Sequence, residues 1–220
     1  MRRISLMLLL FIIMTTLLAA CSIGSSEENL CDSNGSLLQD DFSGDQDCGW
    51  ALYNQGGTVV TIEEGVLQLS ASQPGQIYWT NPGREFTDVI ISAQVRQVSG
   101  PDDNAFGAIC RYQNEENFYI FLISGDGYYM IGKYESGNTQ IQYLTGEGEF
   151  VFSEIINQGV STNQFRASCI GESLSLSVNG IPLVTVTDST FVSGDVGLGA
   201  STFELGTAVV QFDDFRVLAP

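Results

Sequence analysis

The sequence predicts an all-β domain built as a two-sheet antiparallel sandwich. Short apolar or alternating runs follow one another between Gly, Asn, Asp and Pro residues, and the chain contains 24 glycines. Alternation with a period of two recurs, as in the run SLSLSV at 173–178, whereas no stretch combines sustained helical spacing with helix caps. About a dozen such runs are typical of two packed sheets rather than one.

The predicted strands follow in order along the chain: Gly57–Ile62, Val66–Ser70, Gln76–Thr80, Val89–Val98, Ala105–Tyr112, Phe118–Ile123, Tyr128–Tyr134, Gln140–Leu144, Gln164–Ile170, Ser173–Val178, Leu183–Thr187, Gly194–Ala200 and Ala208–Leu218. Two turns carry strong hairpin signals. Asn179-Gly180 follows the run at 173–178, and Gly125-Asp126-Gly127 separates two apolar runs. Both turns predict antiparallel neighbours.

The N-terminus is typical of an export signal. Met1-Arg2-Arg3 is a short cationic segment, and the stretch from Ile4 to Ala20 is almost wholly apolar. The end of that stretch, Leu18-Ala19-Ala20-Cys21, resembles the lipobox of bacterial lipoproteins. The resemblance implies that Cys21 is acylated and anchors the protein to the lipid bilayer on the extracytoplasmic face of the cell membrane. The alternative is an uncleaved N-terminal anchor helix, which leads to the same compartment.

Three segments follow from this interpretation. Residues 1–20 form a lipoprotein signal peptide, and residues 21–36 comprise the lipidated cysteine and a flexible tether, since Ser22 to Asn29 are small and polar. No break in composition divides the remaining chain. Residues 37–220 are therefore expected to form a single domain.

The remaining cysteines fit an oxidising compartment. Setting Cys21 aside leaves an even number, Cys31, Cys48, Cys110 and Cys169, for which three pairings are possible. We favour a local bridge between Cys31 and Cys48, and a second bridge between Cys110 and Cys169, which both lie within predicted strands. Zinc is the weaker alternative, because the chain has no histidine and no C-x-x-C pair.

Alternation assigns side chains to faces. Phe106, Ala108, Cys110 and Tyr112 would share the core face of their strand. Arg111, Arg166, Gln94 and Arg96 would then all point out of the sandwich. This pattern predicts several cations and amides on one outer face.

Charge excludes one class of partner. The chain has 26 acidic and 8 basic residues, and loss of Arg2 and Arg3 with the leader leaves 26 against 6, a net charge of −20. The remaining cations are scattered, whereas phosphate backbones are bound by clustered Lys and Arg, so nucleic acid is not an expected partner. The acidity favours solubility, with divalent cation binding as the alternative.

A series of motifs resembles the concanavalin A-like, or laminin G-like, jelly rolls of bacterial surface proteins over about residues 37–218. The motifs are DDF at 40–42 before Trp50, FGAICRY at 106–112, GYYMIGK at 127–133, VNG at 178–180, GDVGL at 194–198 and FDDFRV at 212–217. Related domains include the 3-keto-disaccharide hydrolase type and carbohydrate-binding modules. The resemblance implies a concave face that holds sugar and, in some members, a structural calcium ion near the paired chain ends. Asp41 with Asp213 or Asp214 would supply its oxygen ligands.

Catalytic machinery is hard to find. Without histidine, the serine and cysteine triads are excluded, and the clustered E-x-D-x-E strand of many sandwich glucanases is missing. A glycosidase would need another pair of carboxylates across the scissile bond. Glu115-Glu116 and Glu147-Gly148-Glu149 lie in predicted loops and are interpreted as solvated charges.

Binding of a glycan needs less machinery, namely aromatic planes and planar hydrogen-bonding groups. The candidate ligand-binding residues are Trp79, Tyr119 and Tyr129 for stacking, and Gln94, Arg96 and Arg111 for hydrogen bonds. The leading hypothesis is a surface-anchored lipoprotein whose non-catalytic jelly roll binds a poly- or oligosaccharide. The alternatives are a structural or protein-adhesion module of the cell envelope and a glycosidase with an unrecognised carboxylate pair.

Overall fold

The computed structural model describes residue 31 and residues 35–44 and 48–220. These form sixteen strands: β1 Leu38–Asp40, β2 Tyr53–Gln55, β3 Thr58–Glu63, β4 Val66–Ala71, β5 Ile77–Thr80, β6 Val89–Ser99, β7 Asn104–Asn114, β8 Asn117–Ile123, β9 Tyr128–Tyr134, β10 Gln142–Tyr143, β11 Val151–Phe152, β12 Thr162–Ile170, β13 Ser173–Val178, β14 Ile181–Thr187, β15 Asp195–Thr202 and β16 Ala208–Leu218. The predicted signal peptide and Cys21 lie outside the described residues.

The strands form two antiparallel sheets, which confirms the predicted fold class. Sheet A has the order β14-β13-β12-β6-β16-β4-β3-β2, with β1 paired to β16. Sheet B has the order β10-β9-β8-β7-β15-β5, with β11 paired to β9. Neighbours distant in sequence, such as β6 and β16, produce the crossed connections of a jelly roll. Within the described residues, no helix is long and apolar enough to cross a membrane.

Both predicted hairpins form. Asn179 and Gly180 adopt φ values of 52° and 79° between β13 and β14, the left-handed pair that a two-residue type I′ turn requires. Gly127, with φ of 94°, lies in the turn between β8 and β9. The strands β1, β2 and β11 were not predicted. Each contains only two or three residues and is defined by its pairing with β16, β3 or β9, so local alternation cannot reveal it.

The main core lies between the two sheets. It combines inward side chains of sheet A, including Phe165 and Phe212, with those of sheet B, including Phe106 and Phe121, all at most 2% exposed. Burying a phenylalanine contributes roughly 1.5–3 kcal/mol. The alternation of β6, which has a buried residue at every second position from Val89 to Gln97, follows from packing only one face of sheet A on this core.

Both predicted disulfides are present. Cys31 bonds to Cys48, and Cys110 of β7 bonds to Cys169 of β12 across the sandwich. The second bridge therefore joins sheet B to sheet A. The two bonds close sequence separations of 17 and 59 residues. In the chain-entropy model these loops contribute about 3 and about 4 kcal/mol.

The predicted outward direction of Arg111 is wrong. A β-bulge interrupts the pairing of β7 with β8 between Cys110 and Asn114, and Arg111 adopts a φ of 52° there. The extra residue resets the alternation, since a bulge places two residues opposite one. Arg111 is consequently 2% exposed, and Tyr112, which had been placed in the core, packs on the outer face of sheet B.

Candidate functional site

The outer face of sheet B carries a second apolar cluster. Phe118, Ile120 and Leu122 of β8 point to this side, as does Met130 of β9, and all four are at most 1% exposed. Their neighbours Tyr119 and Phe121 point into the main core instead. Strand β8 is therefore apolar on both sides, the pattern of a strand buried on both faces.

Aromatic rings connect this surface from one strand to the next. Phe118 lies 5.3 Å from Trp79 of β5, 5.6 Å from Tyr112 of β7 and 4.8 Å from Tyr134 of β9, measured between ring centroids. These separations fall in the range of favourable tilted contacts. Trp79, Tyr112 and Tyr134 stay partly exposed, whereas Phe118 is buried beneath them.

The chain after β9 adds a wall of rings to this surface. Strands β10 and β11 pair in turn with β9, which brings Tyr143 and Phe150 onto the cluster. Phe203 approaches from the turn between β15 and β16, and its ring centroid lies 5.8 Å from that of Phe150. The Tyr143 and Phe150 rings are 6.0 Å apart. Tyr143, Phe150 and Phe203 thus form a continuous ridge.

Three adjoining depressions, which we call together the aromatic groove, run from the β5 edge of sheet B, beside β2 of sheet A, across the outer face of sheet B to the turns at its end. The edge depression, about 480 Å³, lies between Tyr53, Tyr78 and Trp79. The central depression, about 300 Å³, shares Ile77 with it. The loop-end depression, about 390 Å³, lies on the other side of the ridge. The three rings of the ridge line both this depression and the central one. Each volume falls within the range of small-ligand sites.

The loop-end depression is lined by two carboxylates and two neutral polar side chains as well as by rings. Asp103, Asn104, Ser124 and Asp126 line it together with Tyr128 and the three rings of the ridge. Buried Asn104 is held by its own bonds: its Nδ2 donates to the Pro101 carbonyl at 2.7 Å, and its Oδ1 accepts from the Gly125 amide at 2.9 Å. The site thus combines aromatic planes with carboxylates on a fixed frame.

The outer face of sheet A is different. Gln94, Arg96, Arg166 and Gln211 point outward there, and the Gln211 amide donates to Gln68 Oε1 at 3.1 Å across the neighbouring strand. Arg96 and Arg166 are exposed. The prediction of cations and amides on one outer face is confirmed for Gln94, Arg96 and Arg166, and the described outward residues of this face form no aromatic platform.

The predicted ligand-binding residues do not come together. Trp79 lines the aromatic groove, whereas Gln94 and Arg96 lie on the opposite outer face. Tyr119 and Tyr129 belong to the main core, at 0% and 9% exposure, and Arg111 is buried, so these three assignments are wrong. Sequence reasoning overlooked the other groove residues, Asp103, Asp126, Tyr128, Tyr143, Phe150 and Phe203. The DNAF segment at 103–106 and the exposed rings in loops were the available signals.

Tyr119 instead belongs to a polar network inside one end of the sandwich. Its hydroxyl donates to Asp188, and Lys133 Nζ lies 3.0 Å from the other oxygen of Asp188. Burial, followed by the hydrogen bond to Asp188, raises the pKa of Tyr119 to about 12. Burial alone would raise the pKa of Asp188, but hydrogen bonds from Thr190, Tyr119 and Lys133 outweigh it and lower that pKa to about 2.

Arg111 binds the segment from Asp188 to Phe191. Its Nη1 donates to the Phe191 carbonyl at 2.7 Å, and its Nη2 lies 3.1 Å from Asp88 Oδ1. The Phe191 amide in turn donates to Tyr119 Oη at 3.1 Å. Arg111 and Lys133 therefore hold the segment from Asp188 to Phe191 against sheet B, which is a structural role.

The predicted calcium ligands have other partners. Asp41 Oδ1 accepts a hydrogen bond from the Ser43 hydroxyl at 2.7 Å, and the hydrogen bonds from the Ser43 side chain and backbone lower the pKa of Asp41. Asp214 accepts from the Gln94 amide, and the Asp213 side chain accepts from the Asp214 amide. Within the described residues, no three acidic or other metal-binding side chains converge. A calcium ion here stays a prediction.

Carboxylates with raised pKa values have structural partners. Burial raises the pKa of Asp40, whose oxygens accept from Trp50 Nε1 and the Phe42 amide. Burial also raises the pKa of Asp195, whose oxygens accept from the Gly83 and Val196 amides. Neither residue lines the aromatic groove. Glu115, Glu116, Glu147 and Glu149 are exposed in loops, as expected.

Several solved structures share this architecture. The carbohydrate-binding module CBM66 from Bacillus subtilis matches with a TM-score of 0.61 and 17% identity, over 78% of this chain and 96% of that chain. A GH16 protein of a Bacteroides ovatus mixed-linkage glucan PUL matches with a TM-score of 0.60 and 13% identity, over 83% of this chain and 100% of that chain. A Bacillus subtilis protein of unknown function with a galectin-like fold matches with a TM-score of 0.59 and 12% identity, over 84% of this chain and 96% of that chain.

At these identities the likeness establishes the jelly-roll sandwich that carbohydrate-binding modules and glycoside hydrolases share, and nothing finer. No protein-family model and no curated protein sequence matches the chain. The function therefore has to be inferred from the site itself.

Proposed function

We propose that this protein is a surface-anchored lipoprotein whose jelly roll binds glycans without cleaving them. The observation that carries the proposal is the aromatic groove, an open surface of partly exposed rings with polar side chains beside them. Sugar rings present apolar faces that stack on aromatic planes, while their hydroxyls take up polar partners. Solved jelly rolls of similar architecture include one named as a carbohydrate-binding module.

A role without catalysis is supported by the chemistry of the groove. Hydrolysis by a carboxylate pair requires one group with a raised pKa facing the scissile bond. The described acids whose pKa is raised, Asp40 and Asp195, are occupied by backbone and indole donors outside the groove. The groove residues that stand out are rings, which bind sugars without reacting with them.

The anchor is the second half of the proposal. Acylation of Cys21 would attach the chain to the membrane, and strand β1 begins at Leu38 beside Val217. The turns that carry Asp103, Asp126 and Phe203 lie at the opposite end of the sandwich, beyond Ser99 and Val209. A tether entering beside Val217 would leave the loop-end depression pointing away from the bilayer.

The glycan-binding proposal is tested on an array of soluble polysaccharides and oligosaccharides, followed by titration calorimetry with those that bind. Trp79→Ala and Phe203→Ala each remove one partly exposed ring from the groove. Loss of one stacking platform is expected to weaken binding about tenfold or more, which corresponds to about 1.4 kcal/mol.

The matched control is Arg96→Ala, which changes an exposed residue on the outer face of sheet A. It should leave glycan affinity unchanged. If no glycan on the array binds, the proposed function is wrong. If Arg96→Ala abolishes binding while both groove variants bind normally, the site has been placed on the wrong face.

Lipidation is tested separately, by mass spectrometry of the N-terminal peptide and by fractionation of cells that express Cys21→Ser. The wild-type chain should carry acyl groups on Cys21 and sediment with membranes, whereas the variant should be released. An unmodified Cys21 in membrane-bound protein would contradict the anchor.

A further inference from the structure

The distribution of cations sets the aromatic groove apart from the outer face of sheet A. Three of the six basic residues in the described chain, Arg96, Arg166 and Arg216, are exposed on the outer face of sheet A. Two more, Arg111 and Lys133, are buried in ion pairs. None of the described residues that line the aromatic groove is a lysine or arginine. The described lining of the groove therefore supplies no positive charge of its own.

The loop-end depression has the composition that favours a cationic ligand. Tyr128, Tyr143, Phe150 and Phe203 line it with aromatic rings, while Asp103 and Asp126 add two carboxylates. Ring faces attract cations within about 6 Å, and several rings around one space form the aromatic cage that recognises organic ammonium groups. Carboxylates beside the rings complement the same charge.

The two carboxylates are engaged to different degrees. Asp126 accepts a hydrogen bond from the Ser124 hydroxyl, which fixes its orientation. The carboxylate of exposed Asp103 forms no hydrogen bond or ion pair with any described residue. Its position is held by the backbone, because its carbonyl accepts from the Phe203 amide at 3.0 Å. That bond places Asp103 directly beside a ring of the ridge.

We infer that the loop-end depression selects an amine-bearing sugar, held by its protonated amine between the rings and the carboxylates of Asp103 and Asp126. The inference rests on the proposed glycan-binding function and specifies its ligand class. Acidic sugars are excluded by the same charges, since a sugar carboxylate would meet Asp103 and Asp126 with no cation beside it. The net charge of −20 after loss of the leader would also draw cationic glycans toward the protein.

The test uses three oligosaccharides that share the β-1,4-linked glucose backbone and have equal length. These are oligomers of glucosamine, of N-acetylglucosamine and of glucose, which carry an amine, an acetamide or a hydroxyl at the same carbon. Calorimetry is carried out in a mildly acidic buffer, which keeps the glucosamine amine protonated. The glucosamine oligomer should bind about tenfold more tightly than the other two, and the difference should shrink as salt is raised.

Variants assign the preference to the two carboxylates. Asp103→Asn and Asp126→Asn keep the shape and remove one negative charge each, so each should reduce the glucosamine preference at least about threefold while affinity for the neutral oligomers is retained. Glu172→Gln removes the same charge from an exposed turn remote from the groove and serves as the control. It should leave the preference intact.

The outcomes separate this inference from the function on which it rests. Equal binding of the three oligomers, tighter binding of a neutral one, or a preference that survives both aspartate variants would overturn the ligand class and leave glycan binding standing. So would binding of some other array glycan when none of the three oligomers binds. If no glycan binds at all, both proposals are wrong.

Discussion

The two outer faces of the sandwich differ although the strands beneath them follow the same alternation. On sheet A the outward positions of β6, β12 and β16 carry Gln94, Arg96, Arg166, Gln211 and Arg216, which face solvent. On sheet B the outward positions of β8 and β9 carry Phe118, Ile120, Leu122 and Met130, which are covered by neighbouring rings and by the chain after β9. One face is a solvated surface, and the other is a second core that opens into a groove.

The difference shows how a jelly roll can separate stability from recognition. Sheet A needs only its inner face, so its outer side chains are free to be polar. Sheet B must cover its outer apolar side, and the covering is incomplete along the ridge of Tyr143, Phe150 and Phe203. Incompletely covered aromatic surface is typical of ligand-binding sites.

The largest expected effect tests whether the outer face of sheet B is a true core. Phe118→Ala removes a fully buried ring that contacts Trp79, Tyr112 and Tyr134. We expect a loss of about 4 kcal/mol in the free energy of unfolding, as for rings buried between two sheets. Urea unfolding measures it. A loss below about 1 kcal/mol would mean that this face is solvated like that of sheet A.

The next effect compares two arginines that alternation had placed on the same outer face. Arg111→Met leaves the Phe191 and Thr87 carbonyls without their donor inside the protein and should cost about 3 kcal/mol. Arg166→Met changes an exposed side chain and should stay within about 0.5 kcal/mol. Similar losses for the two variants in urea unfolding would contradict the burial of Arg111.

A smaller effect is expected from the polar network at the end of the sandwich. Because the folded pKa of Asp188 is about 2, below the ordinary value of 3.8, this group stabilises the fold above about pH 4. That contribution, on the order of 2 kcal/mol, is lost as the pH falls through the folded value. Asp188→Asn should therefore be less stable than wild type near neutral pH, and the gap should close toward pH 2.

The control for this pH dependence is Glu172→Gln, an exposed residue whose side chain has no partner among the described residues. It should be as stable as wild type near neutral pH. A gap between Asp188→Asn and wild type that stays constant from neutral pH to pH 2 would show that Asp188 acts only through its shape.

The smallest effect belongs to the outer face of sheet A. Gln211→Ala breaks the amide contact with Gln68, and both groups are then taken up by water. We expect a change below about 0.5 kcal/mol in unfolding free energy and no change in glycan affinity. Thermal unfolding measures the change in stability, and titration calorimetry measures the glycan affinity. A loss of binding here would reverse the functional assignment of the two faces.

Much of the fold was predictable because it depends on local signals. Period-two alternation indicated β12 and β13, and the Asn179-Gly180 pair fixed the turn that follows them, since only residues tolerant of positive φ fit there. The disulfide between Cys110 and Cys169 was favoured because both residues lie within predicted strands, and the structure contains it. The shortest strands escaped prediction because their hydrogen bonds go to residues distant in sequence.

The candidate site was predicted in part. Trp79 lines the groove as a partly exposed ring, but the ridge residues Phe150 and Phe203 lie 71 and 124 positions further along the chain, by the difference of their numbers. Tyr119 and Tyr129 were chosen for their ring type, although type alone does not distinguish a core ring from a surface ring. The predicted outward direction of Arg111 was wrong because one bulged residue turns the rest of a strand to its other face.

The sequence by itself determined the all-β class and the two hairpins, because side-chain alternation and turn conformation act over a few residues, whereas it only favoured one of three disulfide pairings. Only the tertiary structure decided which outer face is covered and where the rings meet. Those features depend on the order of strands within each sheet and on the bulge at Arg111, and both are set by packing between segments that lie far apart along the chain.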